Sequence, residues 1–185
     1  MLKVVVIEDA GLVRKGLILT TSWDQNQCEV VGEADNGIDG RELIIRLKPD
    51  IAITDIRLPG ISGLEMIEAV HNLVRTKFIV ISGFSEFEYA RQAIQLGIID
   101  YLVKPVEDRV LSDALAKAGN AVWTDSIMER MQKSAAFGGD RQFSLFREYL
   151  MYATNAKSEY TNRAIQYIQA NFAKEITARD INGIS

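Results

Sequence analysis

Five positions that can do chemistry stand where short apolar runs end. Glu8 and Asp9 follow residues 4–7, Asp55 closes the run that begins at Ile51, Ser82 follows 78–81, and Lys104 follows 98–103. Any one of them is what a strand leaving a core ordinarily shows, and the argument rests on three acids, a hydroxyl and an amine recurring at the same structural point. Three crowded carboxylates repel one another, and a hard divalent cation with oxygen ligands is their natural neutraliser. Magnesium suits best, because it is commonly held by one or two carboxylates, keeps several waters and completes its shell with a phosphate oxygen. An aspartate can act as the nucleophile toward a phosphoryl group and form an acyl phosphate. Lys104 and the Ser82 hydroxyl would then supply charge and a donor to the equatorial oxygens.

Local sequence favours Asp55 as that nucleophile. It opens the loop Asp55-Ile56-Arg57-Leu58-Pro59-Gly60-Ile61-Ser62-Gly63, which contains no catalytic base and is expected to expose the carboxylate. Gly83 leaves room beside Ser82 for an incoming group. Lys104-Pro105 is an X-Pro bond at the site, where Pro105 serves a structural purpose, as a cis peptide or as the end of a strand.

The elements that must hold these residues are legible as a rhythm. Apolar runs at 4–7, 28–31, 51–53, 78–81 and 98–103 alternate with stretches of helical spacing such as Gly40, Leu43, Ile44 and Leu47, or Leu64, Ile67, Val70 and Val74. Continuous apolar strands imply burial on both faces, hence a parallel sheet with helices on each side: a doubly wound α/β domain of five strands. In such sheets the functional crevice lies beyond the carboxyl ends of the strands, where the five polar residues fall. From Val106 a long helical stretch follows, with Val110, Ala114, Ala118, Val122, Ile127 and Met131 as inward positions. Further helical pieces are expected at 143–152 and 160–174, and Thr177 with Asp180 has the form of a capping box.

Composition bounds the rest. The chain has 185 residues, 48% apolar and 25% charged, with no segment approaching the ~20 apolar residues of a membrane span. Acids at Glu8 and Asp9 come too early for a signal peptide, so a cytoplasmic protein is expected. Residues 1–105 carry 11 Lys/Arg against 15 Asp/Glu and residues 106–185 carry 10 against 10, so neither part has the basic stripe of a DNA surface. The single cysteine, Cys28, reads as a small buried hydrophobe.

Glu8-Asp9, Asp55 with Pro59 and Gly63, Ser82-Gly83, Tyr101 and Lys104-Pro105 resemble, in order, the pattern of bacterial response regulator receiver domains, over residues 2 to about 120. The resemblance implies a flavodoxin-like fold with strand order 2-1-3-4-5 and phosphorylation of Asp55 by a sensor histidine kinase. It further implies Mg2+ on Glu8, Asp9, Asp55 and the backbone carbonyl of Arg57, phosphate contacts from Ser82, Gly83 and Lys104, and a conformational switch at Ser82 and Tyr101. The first acid is Glu where many relatives have Asp, and Ala10 replaces a frequent acid. Residues 82–94 and 97–106 look like receivers joined to AraC-type transcription activators, and 164–172 with 176–181 look like the opening of that DNA-binding domain. The expected organisation is a receiver at 1–120, a helical linker at 121–159 and a helix-turn-helix domain begun at 160–185. The chain stops before a first recognition helix is complete, so DNA binding is expected of a longer output domain and not of these residues.

Other residues promise less. His71 reads as solvated surface, and Trp23 and Trp123 as packing residues. Phe84, Phe87 and Tyr89 are either packing or a signalling surface, and Val13, Gly16 and Val106 are either filler or a kinase-docking rim. Arg57 and Phe84 flank the expected path of hydrolytic water. The helix after Val106 suggests a marginal homodimer seam through Val110, Ala114, Ala121, Met128 and Met131. A stand-alone phosphorelay carrier would need only the receiver. An aspartyl-phosphate hydrolase would carry a second Asp where Arg57 stands, so a phosphoacceptor is expected in place of an enzyme.

Overall fold

The computed structural model describes residues 1–83 and 87–134, and the side chains within them except at 87, 88 and 131–134. Strand and helix alternate as β1 (Leu2–Ile7), α1 (Gly11–Thr20), β2 (Cys28–Ala34), α2 (Gly37–Leu47), β3 (Ile51–Thr54), α3 (Gly63–Val70), β4 (Lys77–Ser82), α4 (Phe87–Gln95), β5 (Asp100–Val103) and α5 (Asp108–Ser134). All pairings are parallel and the sheet order is β2-β1-β3-β4-β5, the flavodoxin-like arrangement. The chain divides into two compact units, Met1–Val122 and Trp123–Ser185, and the sheet belongs to the first. The helical pieces expected after residue 134, the capping box at Thr177 and the residue Phe84 lie outside the described residues.

Side chains of a strand point alternately to its two faces, so the inner strands feed two cores. Val5, Ile7, Ala52, Phe78 and Val80 pack with α2, α3 and α4. Val4, Ile51, Ile53, Ile79 and Ile81 pack on the other face with Leu111, Ala114, Leu115 and Ala118 of α5. Full burial holds for the four residues of β3 and for 4–7 of β1, whereas β2 and β5 lie at the edges and alternate with solvent.

Several expected boundaries move. β2 runs on through Gly32 and Glu33 to Ala34, because an edge strand tolerates polar residues, and its pairing with β1 slips at Val31. β5 begins only at Asp100, two residues into its apolar run. Val74 packs against the core from beyond the end of α3. In α5 the face turned to the sheet is set by Leu111, Ala114, Leu115 and Ala118, and Val110 is exposed. The seam imagined along this helix is therefore corrected: Ala114 is wholly buried in the receiver core, and no second chain can use it there.

Candidate functional site

The site forms where the chain leaves β1 toward opposite neighbours, β2 on one side and β3 on the other, which opens a crevice at their carboxyl ends. Backbone bonds deliver the acids there. The Asp55 N–H donates to the carbonyl of Ile7 at 3.0 Å, and the Glu8 N–H donates to Ala34 at 3.1 Å. Lys104 is brought from the other end of the sheet by its N–H, which donates to the Ser82 carbonyl at 2.8 Å. One carboxylate oxygen from each of Glu8, Asp9 and Asp55 can be chosen so that all three lie within 4.8 Å of one another.

Lys104 lies across two of these acids. Its Nζ is 2.6 Å from Glu8 Oε2 and 2.5 Å from Asp55 Oδ2. The other oxygen of Asp55 accepts from the backbone N–H groups of Ile56 at 2.5 Å and Arg57 at 3.2 Å. Burial pulls the Lys104 amine down, but hydrogen bonds and charge from Asp55 and Glu8 outweigh it and hold its pKa above the ordinary value. Burial pushes the Glu8 carboxyl up, and Asp55's charge adds to this, against the opposing pull of Lys104. The ammonium is thus the fixed partner of the cluster, and burial disfavours the ionised form of Glu8 beside it.

Asp55 is only 8% exposed, so the expectation that its loop would expose it is corrected. Ile56 beside it is buried as well, and the N–H of Gly63 closes the loop onto the Ile56 carbonyl at 2.7 Å. The reason for glycine at 63 is steric: a Cβ there would collide with the backbone carbonyl of Asp55. Ser82 is fully buried at the end of β4. Gly83 is exposed, and a Cβ there would meet nothing within 4 Å, so close packing among the described residues is not what calls for glycine. Tyr101 is half-buried on β5, opposite Val80, and packs on the core shared by α2, α3 and α4. The Lys104–Pro105 peptide is cis.

A cavity of about 510 Å³ lies beneath α1 and reaches Glu8, Asp55 and Lys104. Val13 and Val106 line it, as their place on the rim suggested, but Gly16 does not. His71 is exposed, and its Nδ1 lies 2.8 Å from the Glu68 carbonyl. Trp23 packs on the α5 side of the sheet and donates from Nε1 to Ile18 at 2.8 Å. Burial first, and the charge of Asp50 second, push the Cys28 thiol up to about 11, which leaves it protonated and inert near neutrality. The residue that sequence reasoning missed is Arg14, whose Nη1 is 2.5 Å from the Glu8 carbonyl. Its only signal was an arginine five residues after the second acid, at a position where helix periodicity assigns no role.

Residues 4–116 match the family described as the response regulator receiver domain. The chain is 35% identical over 116 residues to the uncharacterized transcriptional regulatory protein YesN of Bacillus subtilis (strain 168), a match covering 62% of this chain and 32% of YesN. It is 29% identical to the transcriptional regulatory protein HptR of Staphylococcus aureus (strain NCTC 8325 / PS 47), over 98% of this chain and 68% of HptR. The chain therefore spans about a third of one of these relatives and two thirds of the other. Among solved structures, the REC domain of AraT, a response regulator from Geobacillus stearothermophilus, superposes with a TM-score of 0.63 at 31% identity, over 68% of this chain and 98% of that domain. With more than half of its length matched and the sheet order of that fold, the chain belongs to the response regulator receiver domain family.

Proposed function

We propose that this chain is the phosphoryl-accepting part of a cytoplasmic two-component response regulator, with Asp55 as the acceptor. The observation that carries the reading is the convergence of Glu8, Asp9 and Asp55 with the Lys104 ammonium resting on two of them. Magnesium fits this donor set, being a hard cation offered three carboxylate oxygens. Glu8, Asp9, Asp55 and the backbone carbonyl of Arg57 would hold it, and when bound it supplies charge neutralisation on the phosphoryl oxygens. As the phosphoryl group leaves a kinase phosphohistidine, the P–N bond breaks and the P–O bond to Asp55 forms, the imidazole keeping the bonding pair. Asp55 is held for attack by the two N–H groups on Oδ1, and Lys104 stands beside Oδ2 as a fixed cation for the charge that arrives.

Ser82 and Gly83 contact the bound group in this reading. The added charge of roughly −1.5 to −2 draws the Ser82 hydroxyl toward it and lets Tyr101 turn inward as a population shift. Pro105 shapes the backbone that follows Lys104. The receiver occupies 1–120, the linker 121–159, and 160–185 opens an AraC-type output domain through which the whole protein binds DNA. The sequence likeness of 164–172 and 176–181 supports that output type, while the transcriptional regulators among the relatives support a role in transcription without specifying the kind of output domain. The chain acts as a phosphoacceptor that catalyses only its own phosphorylation and slow dephosphorylation.

Incubation with a small phosphodonor and magnesium should add one phosphoryl group to the wild type and none to a folded Asp55→Asn variant, as read by intact-mass spectrometry. Equal labelling of both would sink the assignment of Asp55.

A further inference from the structure

The turn that presents Glu8 and Asp9 leads directly into α1, yet α1 is loosely fastened. It has no buried residue, Ala10 at its N-cap makes no side-chain cap bond, and its first turn carries no acid. Leu12 and Leu19 are 92% and 79% exposed, and the contact of α1 with the core is made by half-buried side chains such as Leu17. Arg14 is different. Its side chain is 15% exposed against 58% for Lys15 beside it, and its guanidinium reaches two elements. Nη1 donates to the Glu8 carbonyl at 2.5 Å and Nε to Glu33 Oε2 on β2 at 3.3 Å. Lys15 Nζ holds the other oxygen of Glu33 at 2.6 Å.

The peptide between Glu8 and Asp9 is thus anchored through the Arg14 guanidinium, while the Glu8 N–H is held by Ala34 of β2 at 3.1 Å. Asp9 is exposed, so its carboxylate takes its place from the backbone that carries it. A planar fork with donors in two directions suits this bridging position as a lysine would not. We propose that Arg14, braced by Glu33, is a positioning residue that sets the Glu8–Asp9 peptide and thereby the aim of Asp9 at the cation. The inference rests on the reading of Glu8, Asp9 and Asp55 as a magnesium site. Partners of this kind, which touch the ligand's support and not the ion, typically govern metal affinity by about ten- to a hundredfold.

The test is a calorimetric Mg2+ titration of the full chain, with urea unfolding run in parallel. Arg14→Gln should weaken Mg2+ about tenfold. Arg14→Lys, which can still donate to the Glu8 carbonyl but cannot also bridge to Glu33, should recover part of that loss. Glu33→Gln should lose less than Arg14→Gln, and the double variant should bind no more weakly than Arg14→Gln alone, because both changes act through one contact. A stability defect alone would move the urea midpoint and leave the Mg2+ affinity unchanged. Wild-type affinity in Arg14→Gln, or strictly additive losses, overturns the proposal. If Arg14→Gln does not fold, wild-type affinity in both Arg14→Lys and Glu33→Gln does the same. Asp9→Ala separates the two levels: if it too binds Mg2+ like wild type, the metal reading falls and takes this inference with it; if it loses Mg2+ while Arg14→Gln keeps it, only the inference falls.

Discussion

Lys104 is the residue on which the electrostatics of the site turn. Its ammonium is a quarter exposed and lies against two nearly buried carboxylates, so removing it leaves Glu8 and Asp55 facing one another without a counter-charge. Lys104→Met should destabilise the receiver by about 2 kcal/mol near pH 8, less than for a fully buried pair because water reaches the amine. The pH dependence has a definite sign. Glu8 already has a raised pKa, and losing Lys104 removes what pulls it down. A carboxyl with a raised folded pKa favours folding below its unfolded pKa and loses that contribution as pH rises through the folded value. The gap between Lys104→Met and wild type should therefore narrow as pH falls toward about pH 5, in urea unfolding at both ends of the range. An equal gap at both would show that the two acids do not repel.

At the scale of the element, α3 holds the loop of Asp55 by its first turn. The Ser62 hydroxyl accepts from the Glu65 N–H at 3.2 Å, and Glu65 Oε2 accepts from the Ser62 N–H at 2.8 Å and from its hydroxyl at 2.7 Å, a reciprocal capping box. Ser62→Ala should cost about 1 kcal/mol. Hydrogen bonds from the Ser62 backbone, then from its side chain, hold the Glu65 carboxyl below the ordinary range. Its contribution is therefore present above the unfolded carboxylate pKa and lost as pH falls through the lower folded one. Gly63→Ala is the sharper change, since the new methyl meets the carbonyl of Asp55 itself. It should cost on the order of 2–3 kcal/mol and also slow labelling by a phosphodonor, whereas Ser62→Ala should leave the labelling rate near wild type. Thermal unfolding and intact-mass time courses on both variants check the pair.

At the scale of the whole molecule, any self-association must use surface other than the buried face of α5. Val110 and Met128 are 42% and 44% exposed and remain available, while Ala114 is not. The chain should be monomeric without a phosphate mimic and shift toward dimer with one, and a Val110→Lys, Met128→Lys double variant, which keeps the core face of α5, should lose that shift if the exposed side of the helix contributes. Light scattering on the wild type and the variant decides the matter; a shift retained in the variant would place the contact elsewhere than on the exposed face of α5. Among the described residues no helix is long and apolar enough to cross a membrane.

Periodicity and strand-end chemistry were enough to determine a five-stranded doubly wound domain from the sequence, because parallel inner strands must be apolar throughout and chemistry must sit where they stop. That Glu8, Asp9, Asp55 and Lys104 gather at one edge of the sheet was legible for the same reason. What only the tertiary structure decided is whatever depends on neighbours far apart in sequence. Lys104 meets Glu8 across 96 residues, Asp55 is buried although its loop reads as exposed, and Gly63 is constrained by a carbonyl eight residues earlier. The inward face of α5 was read in part: Ala114, Ala118 and Ile127 are buried as expected, but Leu111 and Leu115 fill the core and Val110 does not, because all of them satisfy helical spacing and spacing alone does not say which stripe meets a sheet. Arg14 escaped notice because a cation on a weakly amphipathic helix resembles solvated surface until the carbonyl beneath it is in place.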